Sequence, residues 1–250
     1  MTPFDLTGRA ALVTGGNGGI GLGMAQGLAD AGARVLVVGR DAAKNVAAMA
    51  ALGEGHASFA ADVTQDAACA ASVAEADRLF GRLDILVNNA GTNIRAQPEA
   101  LSLEDWRTVL DTNLTSAFLM SRAAHPFLAR RGGKVINIGS MMSLFGAPYS
   151  PAYAASKGGI VQLTRATATA WAAQNIQVNA ILPGWIDTAL TQAARREVDG
   201  LHARVLARTP AARWGEARDL AGVAVFLAAA ASDFVTGTAI PVDGGYSVLG

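Results

Sequence analysis

The chain has 250 residues, about half of them hydrophobic, and its 20 lysines and arginines balance 20 aspartates and glutamates. That balance argues against a nucleic-acid or anionic-membrane partner, and no metal site is expected of His56, His125 and His202, which share no ligand spacing. One cysteine, Cys69, excludes an intramolecular disulfide and suits a reducing compartment; with no evident signal peptide or membrane-length apolar run, a cytoplasmic protein is expected.

Short apolar runs alternate with longer helical stretches. The pattern predicts strands at 10–14, 34–38, 57–60, 85–87, 134–138, 177–181 and 239–242. Helices are predicted at 19–31, 41–52, 66–80, 103–129, 151–174, 189–207 and 217–229. Continuous apolar strands separated by helices imply an α/β fold, with a parallel sheet covered on both faces. Right-handed crossovers make it doubly wound. No linker or internal repeat divides the chain, so 1–250 reads as one domain.

The first strand runs into Thr14-Gly15-Gly16-Asn17-Gly18-Gly19-Ile20-Gly21. A glycine-rich turn between strand and helix lets backbone approach a pyrophosphate, and the helix N-terminus supplies N–H groups. Gly15, Asn17, Gly19 and Ile20 are therefore candidate cofactor contacts. The second strand ends in Gly39-Arg40, where an acidic residue would bind the ribose 2′-OH of NAD and an arginine suits a 2′-phosphate. Arg40 thus favours NADP over NAD, although the glycine turn carries no second basic residue. After the third strand come Asp62 and Val63. Asp62 either accepts from the adenine amino group or caps the next helix. The fourth strand leads into Asn88-Asn89-Ala90-Gly91, and Asn89, Ala90 and Gly91 would lie against a cofactor at the switch point of the sheet.

In the following helix, Asn113 falls within an apolar stripe. A buried amide needs partners, so it either holds a water leading to Lys157 or is satisfied within the protein. Ser140 ends the fifth strand. Ser150-Pro151 reads as a helix start, with a capping hydroxyl and a proline at the first position. Tyr153 and Lys157, four apart, share a helix face. A free tyrosine has a pKa near ~10; a neighbouring ammonium is expected to lower it and make the phenol a proton carrier near neutrality. Ser140 would hold the substrate oxygen. Pro183, Gly184, Ile186 and Thr188 lie in a loop placed to hold a nicotinamide carboxamide. The polar stretch 188–213 is read as a lid over the substrate.

Together these residues resemble the short-chain dehydrogenase/reductases. The likeness rests on Thr14-Gly15-(three)-Gly19-Ile20-Gly21, Asn88-Asn89-Ala90-Gly91, Asn113, Ser140, Tyr153-(three)-Lys157 and Pro183-Gly184-(three)-Thr188, and it covers nearly the whole chain. The resemblance implies a Rossmann-type domain of seven parallel strands ordered 3-2-1-4-5-6-7. It implies Tyr153 as acid/base, Ser140 as its partner on the substrate oxygen, Lys157 on the nicotinamide ribose and Asn113 on a relay water. It also implies a homotetramer built through the two long helices and the C-terminal segment. A narrower likeness lies in the stretch from Asn88 to Arg95, in Glu104-Asp105-Trp106 and in the stretch from Arg208 to Gly215. These are similar to sugar-acid members of the gluconate 5-dehydrogenase and 2-deoxy-D-gluconate 3-dehydrogenase kind. There Arg95 would grip a carboxylate. The rival readings are a 3-oxoacyl-carrier-protein reductase and a sensor that binds NADP(H) without turnover.

Overall fold

The computed structural model describes residues 2–249. Seven strands form one parallel sheet: β1 (Ala10–Thr14), β2 (Arg34–Gly39), β3 (Ala57–Ala60), β4 (Ile85–Asn88), β5 (Gly133–Ile138), β6 (Ile176–Pro183) and β7 (Ala239–Val242). Their spatial order is 3-2-1-4-5-6-7, as the family resemblance implied. The order reverses between β1 and β4, so the carboxyl ends of these two strands open a crevice where ligands bind in doubly wound folds.

The inner strands are buried on both faces, which is why they read as unbroken apolar runs. Successive side chains point to opposite faces. Val13, Val35, Val37, Ile85 and Val87 therefore join one core half, with Met24 and Leu28 of α1 (Gly19–Asp30) and Leu227 of α9 (Ala221–Ala228). Leu12, Leu36, Val38, Leu86 and Val135 join the other half, with Val73 of α3 (Asp66–Phe80) and Met120, Ala124 and Leu128 of α5 (Ser116–Leu128).

Three predicted helices differ from the observed ones. The stretch 103–129 is α4 (Leu103–Leu110) and α5 joined by a π-turn, Asp111–Thr115, in which the Ser116 N–H donates to the Asp111 carbonyl. The stretch 189–207 splits into α7 (Ala189–Glu197) and α8 (Leu201–Arg208), because Val198 is extended and Gly200 adopts φ 67°. The helix expected from 217 opens as a 3₁₀ turn, Ala217–Leu220, before α9. The two remaining helices are α2 (Ala42–Leu52) and α6 (Pro151–Trp171).

Gly21 is required by close approach. A Cβ there would lie 2.2 Å from the Gly15 carbonyl oxygen and 2.4 Å from Asn89 Nδ2. Overpacking of this kind costs about 1–3 kcal/mol. For a chain of this size, Gly21→Ala is expected to lower Tm by ~2–10 °C. Gly18→Ala, whose Cβ meets nothing within 4 Å, should move Tm by less than about 1 °C. Thermal unfolding followed by circular dichroism checks both.

Candidate active site

The β1 and β4 loops are locked together at the crevice. Thr14 Oγ1 accepts from the backbone N–H groups of Asn89 (3.0 Å) and Ala90 (3.1 Å). Asn89 Nδ2 in return donates to the carbonyls of Thr14 and Gly15. Beside them α1 begins at Gly19 with no side-chain cap and no acid in its first turn, so its N-terminal N–H groups remain open to an anion. This end belongs to a cleft of about 460 Å³. Gly15, Asn17, Gly19, Ile20, Arg40, Asp62, Val63, Asn89, Ala90, Gly91, Tyr153, Lys157, Pro183, Gly184, Ile186 and Thr188 all line it.

At the far end of the cleft, the side chains of Asn17 and Asn45 crowd Gly39. Asn17 donates to Asn45 Oδ1 (2.7 Å), Asn45 donates to the Gly39 carbonyl (3.0 Å), and a Cβ at 39 would meet Asn17 Nδ2 at 2.2 Å. A side chain at 39 would have to displace the Asn17 amide from its bond to Asn45. Arg40 has no carboxylate partner among the described residues. Asp41 instead caps α2 by accepting from the Lys44 N–H. Lys44 also lines the cleft and supplies a second cation, from a helix rather than from the glycine turn. Asp62 does not cap α3; its Oδ1 accepts from the N–H and hydroxyl of Thr64.

Ser140 stands just past β5, and Tyr153 and Lys157 lie on the first turns of α6, which has its proline at the N-terminus. Ser150 does not cap that helix; its Oγ accepts instead from Asn93 Nδ2 at 3.1 Å. The buried Lys157 Nζ donates to the Ile138 carbonyl at 2.7 Å and lies 5.7 Å from the centroid of the Tyr153 ring. Burial lowers the Lys157 pKa to about 8. The charge state of Tyr153 corrects the expectation from sequence. Desolvation raises its pKa above the ordinary phenol value, while the Ser140 hydroxyl and the Arg95 charge pull the other way. The physical reason is that the phenol has left water and the ammonium is engaged by a carbonyl.

Asn113 sits in the π-turn, a distortion frequent at functional sites. Its amide is satisfied by the protein. Oδ1 accepts from the Thr92 N–H (2.7 Å), and Nδ2 donates to the Thr92 carbonyl and to Ser156 Oγ, both at 3.0 Å. It thereby ties the loop after β4 to α6. The Thr188 hydroxyl caps α7, accepting from the Thr191 N–H. Capping uses the Thr188 oxygen as an acceptor, and the residue still lines the cleft.

A second, inner cavity of about 90 Å³ opens beside the cleft. Ser140, Tyr153, Gly184, Leu190 and Thr191 belong to both. The inner cavity adds Asn93, Arg95, Met141, Met142 and Trp185. Arg95, 15% exposed, donates from Nη1 to Glu197 Oε2 at 2.5 Å, which ties the loop after β4 to the end of α7. Asn93 Oδ1 and Trp185 Nε1 are buried with no hydrogen-bond partner. Each such atom costs roughly 1–3 kcal/mol.

Residues 15–247 match the family model described as enoyl-(acyl carrier protein) reductase. The chain is 43% identical over 249 residues, 98% of each chain, to 2-dehydro-3-deoxy-D-gluconate 5-dehydrogenase of Dickeya dadantii. It is 33% identical to a short-chain type dehydrogenase/reductase from Mycobacterium marinum, whose structure superposes with a TM-score of 0.93 over 98% of this chain and 97% of that one. The chain belongs to the short-chain dehydrogenase/reductase family. A gluconate 5-dehydrogenase from Burkholderia cenocepacia, solved in complex with NADP and tartrate, superposes with a TM-score of 0.92 at 39% identity over 98% of both chains.

Within this short-chain dehydrogenase/reductase, three residues lining the two cavities were not found from sequence, Lys44, Asn93 and Trp185, and neither was Glu197, the partner of Arg95. Lys44 carried a signal, being a cation in the first turn of the helix that follows Arg40. The other three carried none, because an unpaired polar atom or an ion pair across 102 positions is defined only by the folded chain.

Proposed function

We propose that this enzyme uses NADP to interconvert a secondary alcohol and a ketone on a sugar acid. The observation that carries the reading is the junction of the two cavities at Ser140, Tyr153 and Gly184, with Arg95 in the inner one. A dinucleotide suits the outer cleft on this chain's own features: open N–H groups at α1, a glycine rather than an acid at 39, and the cations Arg40 and Lys44. Arg40 and Lys44 would hold the 2′-phosphate, the α1 N-terminus the pyrophosphate, and Lys157 the nicotinamide ribose. When bound, the nicotinamide takes up or supplies the hydride.

The protein supplies the proton and the geometry. In reduction, the Tyr153 phenol donates its proton to the forming alkoxide while the Ser140 hydroxyl steadies the same oxygen. In oxidation, the phenolate takes the proton back. Arg95 serves twice, gripping the substrate carboxylate and favouring the phenolate through its charge. The inner cavity is small beside the ~300 Å³ or more typical of small-molecule sites. Residues 188–213 therefore act as a lid that lifts to admit substrate, with Glu197 as its clasp on Arg95. We place the enzyme in the cytoplasm as a homotetramer. Exposed Leu103 and Phe118 on the long-helix pair, and Val248 and Leu249 near the C-terminus, support that assembly.

The test follows reduced-nicotinamide absorbance while crossing NADP and NAD with sugar acids, neutral polyols and 3-oxoacyl esters. NADP with a sugar acid is the expected pair. Turnover of carrier-linked 3-oxoacyl substrates alone would select the carrier-protein reductase, and no hydride transfer to any ketone would select the sensor. Arg95→Ala is expected to raise KM for the sugar acid by about 10–100-fold, the worth of a charged hydrogen bond. An unchanged KM would remove Arg95 from the carboxylate site.

A further inference from the structure

We infer that Ser143 is a positioning residue for Ser140: its hydroxyl staples the loop that carries Ser140 to the helix that carries Tyr153 and Lys157. It thereby sets the distance between the hydroxyl and the phenol that share the substrate oxygen. The inference rests on the proton-transfer reading above and is independent of which alcohol or ketone the enzyme turns over.

Ser140 lies where the chain leaves the sheet. The Gly139 N–H still bonds across to β6, at the Ile181 carbonyl (2.8 Å). The Ser140 N–H does not; it donates to Ser143 Oγ at 3.2 Å. Ser143 Oγ in turn donates to the Lys157 carbonyl at 2.7 Å, across 14 positions of sequence. A hydroxyl has one hydrogen and two lone pairs, so one side chain serves both bonds. The Ser140 side chain is aimed from the same turn, its Oγ accepting from the Met142 N–H at 3.2 Å.

The staple has a second leg. Lys157 Nζ donates to the Ile138 carbonyl at 2.7 Å. Ile138 and Ser143 flank Ser140 in the chain, and both are bonded to Lys157, one to its side chain and one to its backbone. Tyr153 stands about one helical turn before Lys157. Two bonds to one helical residue fix the loop along α6 and about it, which a single bond cannot do. A cap for the 3₁₀ turn Met141–Ser143 needs only the bond from the Ser140 N–H; the bond to Lys157 adds nothing to that turn and joins it to the helix. Ser140 and Tyr153 share the wall between the two cavities. Reacting groups there must hold their geometry to about 0.5 Å, and a misplacement of about 1 Å can cost on the order of 10²-fold in rate.

The test is a double-mutant cycle on Ser143→Ala and Ser140→Ala. It uses NADP with whichever of D-gluconate, 2-dehydro-3-deoxy-D-gluconate and a 3-oxoacyl ester the wild type turns over fastest. Ser143→Ala is expected to lower kcat by about fivefold or more, with NADPH affinity kept within about threefold because Lys157 Nζ retains its bond to Ile138. In the Ser140→Ala background the same change should lower kcat by less than about twofold, because the group it aims is gone. Tm should fall by about 2–4 °C alike in both backgrounds, so a merely structural serine would show no such dependence on Ser140. Ser143→Cys, similar in size with a weaker donor, serves the same cycle if the alanine variant does not fold. A smaller loss of kcat in Ser143→Ala overturns the inference, as does an equal loss in both backgrounds. A loss confined to NADPH affinity also overturns it, by placing the effect on Lys157. A Ser140→Ala enzyme as active as the wild type, or a wild type that transfers no hydride to any ketone, overturns the proton-transfer reading and this inference with it.

Discussion

Replacing Tyr153 with phenylalanine is expected to cut turnover by about 10²–10⁴-fold, the usual worth of a positioned acid/base, while NADPH affinity, read by fluorescence titration, changes by less than about threefold. The ring still fills the wall between the two cavities; only the proton carrier is lost. A fully active Tyr153→Phe enzyme would end the mechanism. The pH profile carries the same chemistry with a definite sign. Burial holds Tyr153 above the ordinary phenol value and Lys157 down at about 8. In the cofactor-free enzyme the ammonium therefore loses its proton first as pH rises. The kcat/KM for NADPH, which reports the free enzyme, should fall across pH 8 because the cation that would hold the ribose is lost while the phenol is still protonated. A profile flat from pH 7 to 9 would show that Lys157 keeps its charge there. In the opposite direction, kcat/KM for oxidation needs both the phenolate and the Lys157 cation, so it should rise with pH up to about 8 and level off above it as the ammonium is lost.

Arg40→Ala is expected to lower kcat/KM for NADP by about 10–100-fold and to leave NAD within about threefold, because a guanidinium on a phosphate is worth about 1.5–3 kcal/mol. Adding Lys44→Ala should remove most of the remaining preference. A double variant that still favours NADP strongly would place the 2′-phosphate elsewhere. In the converse exchange, a Cβ at 39 would lie 2.2 Å from Asn17 Nδ2, so an aspartate there would have to displace the Asn17 amide from Asn45.

The sheet was legible because its strands are buried runs whose alternate residues serve opposite core halves, as Val13 and Leu12 do. The site was legible where chemistry follows spacing: the glycine turn, Ser140, and Tyr153 four residues before Lys157. Helix interruptions were harder. Asp199-Gly200 carried a breaker signal at the α7–α8 junction, whereas nothing in Asp111–Thr115 announces a π-turn. Its cause is tertiary, in Asn113 reaching both Thr92 and Ser156. The ionisation of Tyr153 was misjudged for a related reason: spacing places a charge near a phenol but says nothing about how much water either has lost.

The π-turn between α4 and α5 has a consequence of phase. Each residue turns an α-helix by about 100°, so a five-residue hydrogen-bonded loop carries one residue more than a regular helix would and rotates α5 about its own axis. The segment before the turn leans on α6 and aims Asn113 at the crevice, and the segment after it leans on α3 and turns Met120, Ala124 and Leu128 into the sheet. One continuous rod could not honour both obligations. Deleting a single residue between 111 and 115 would restore regular winding and oblige the rod to abandon either the crevice or the sheet.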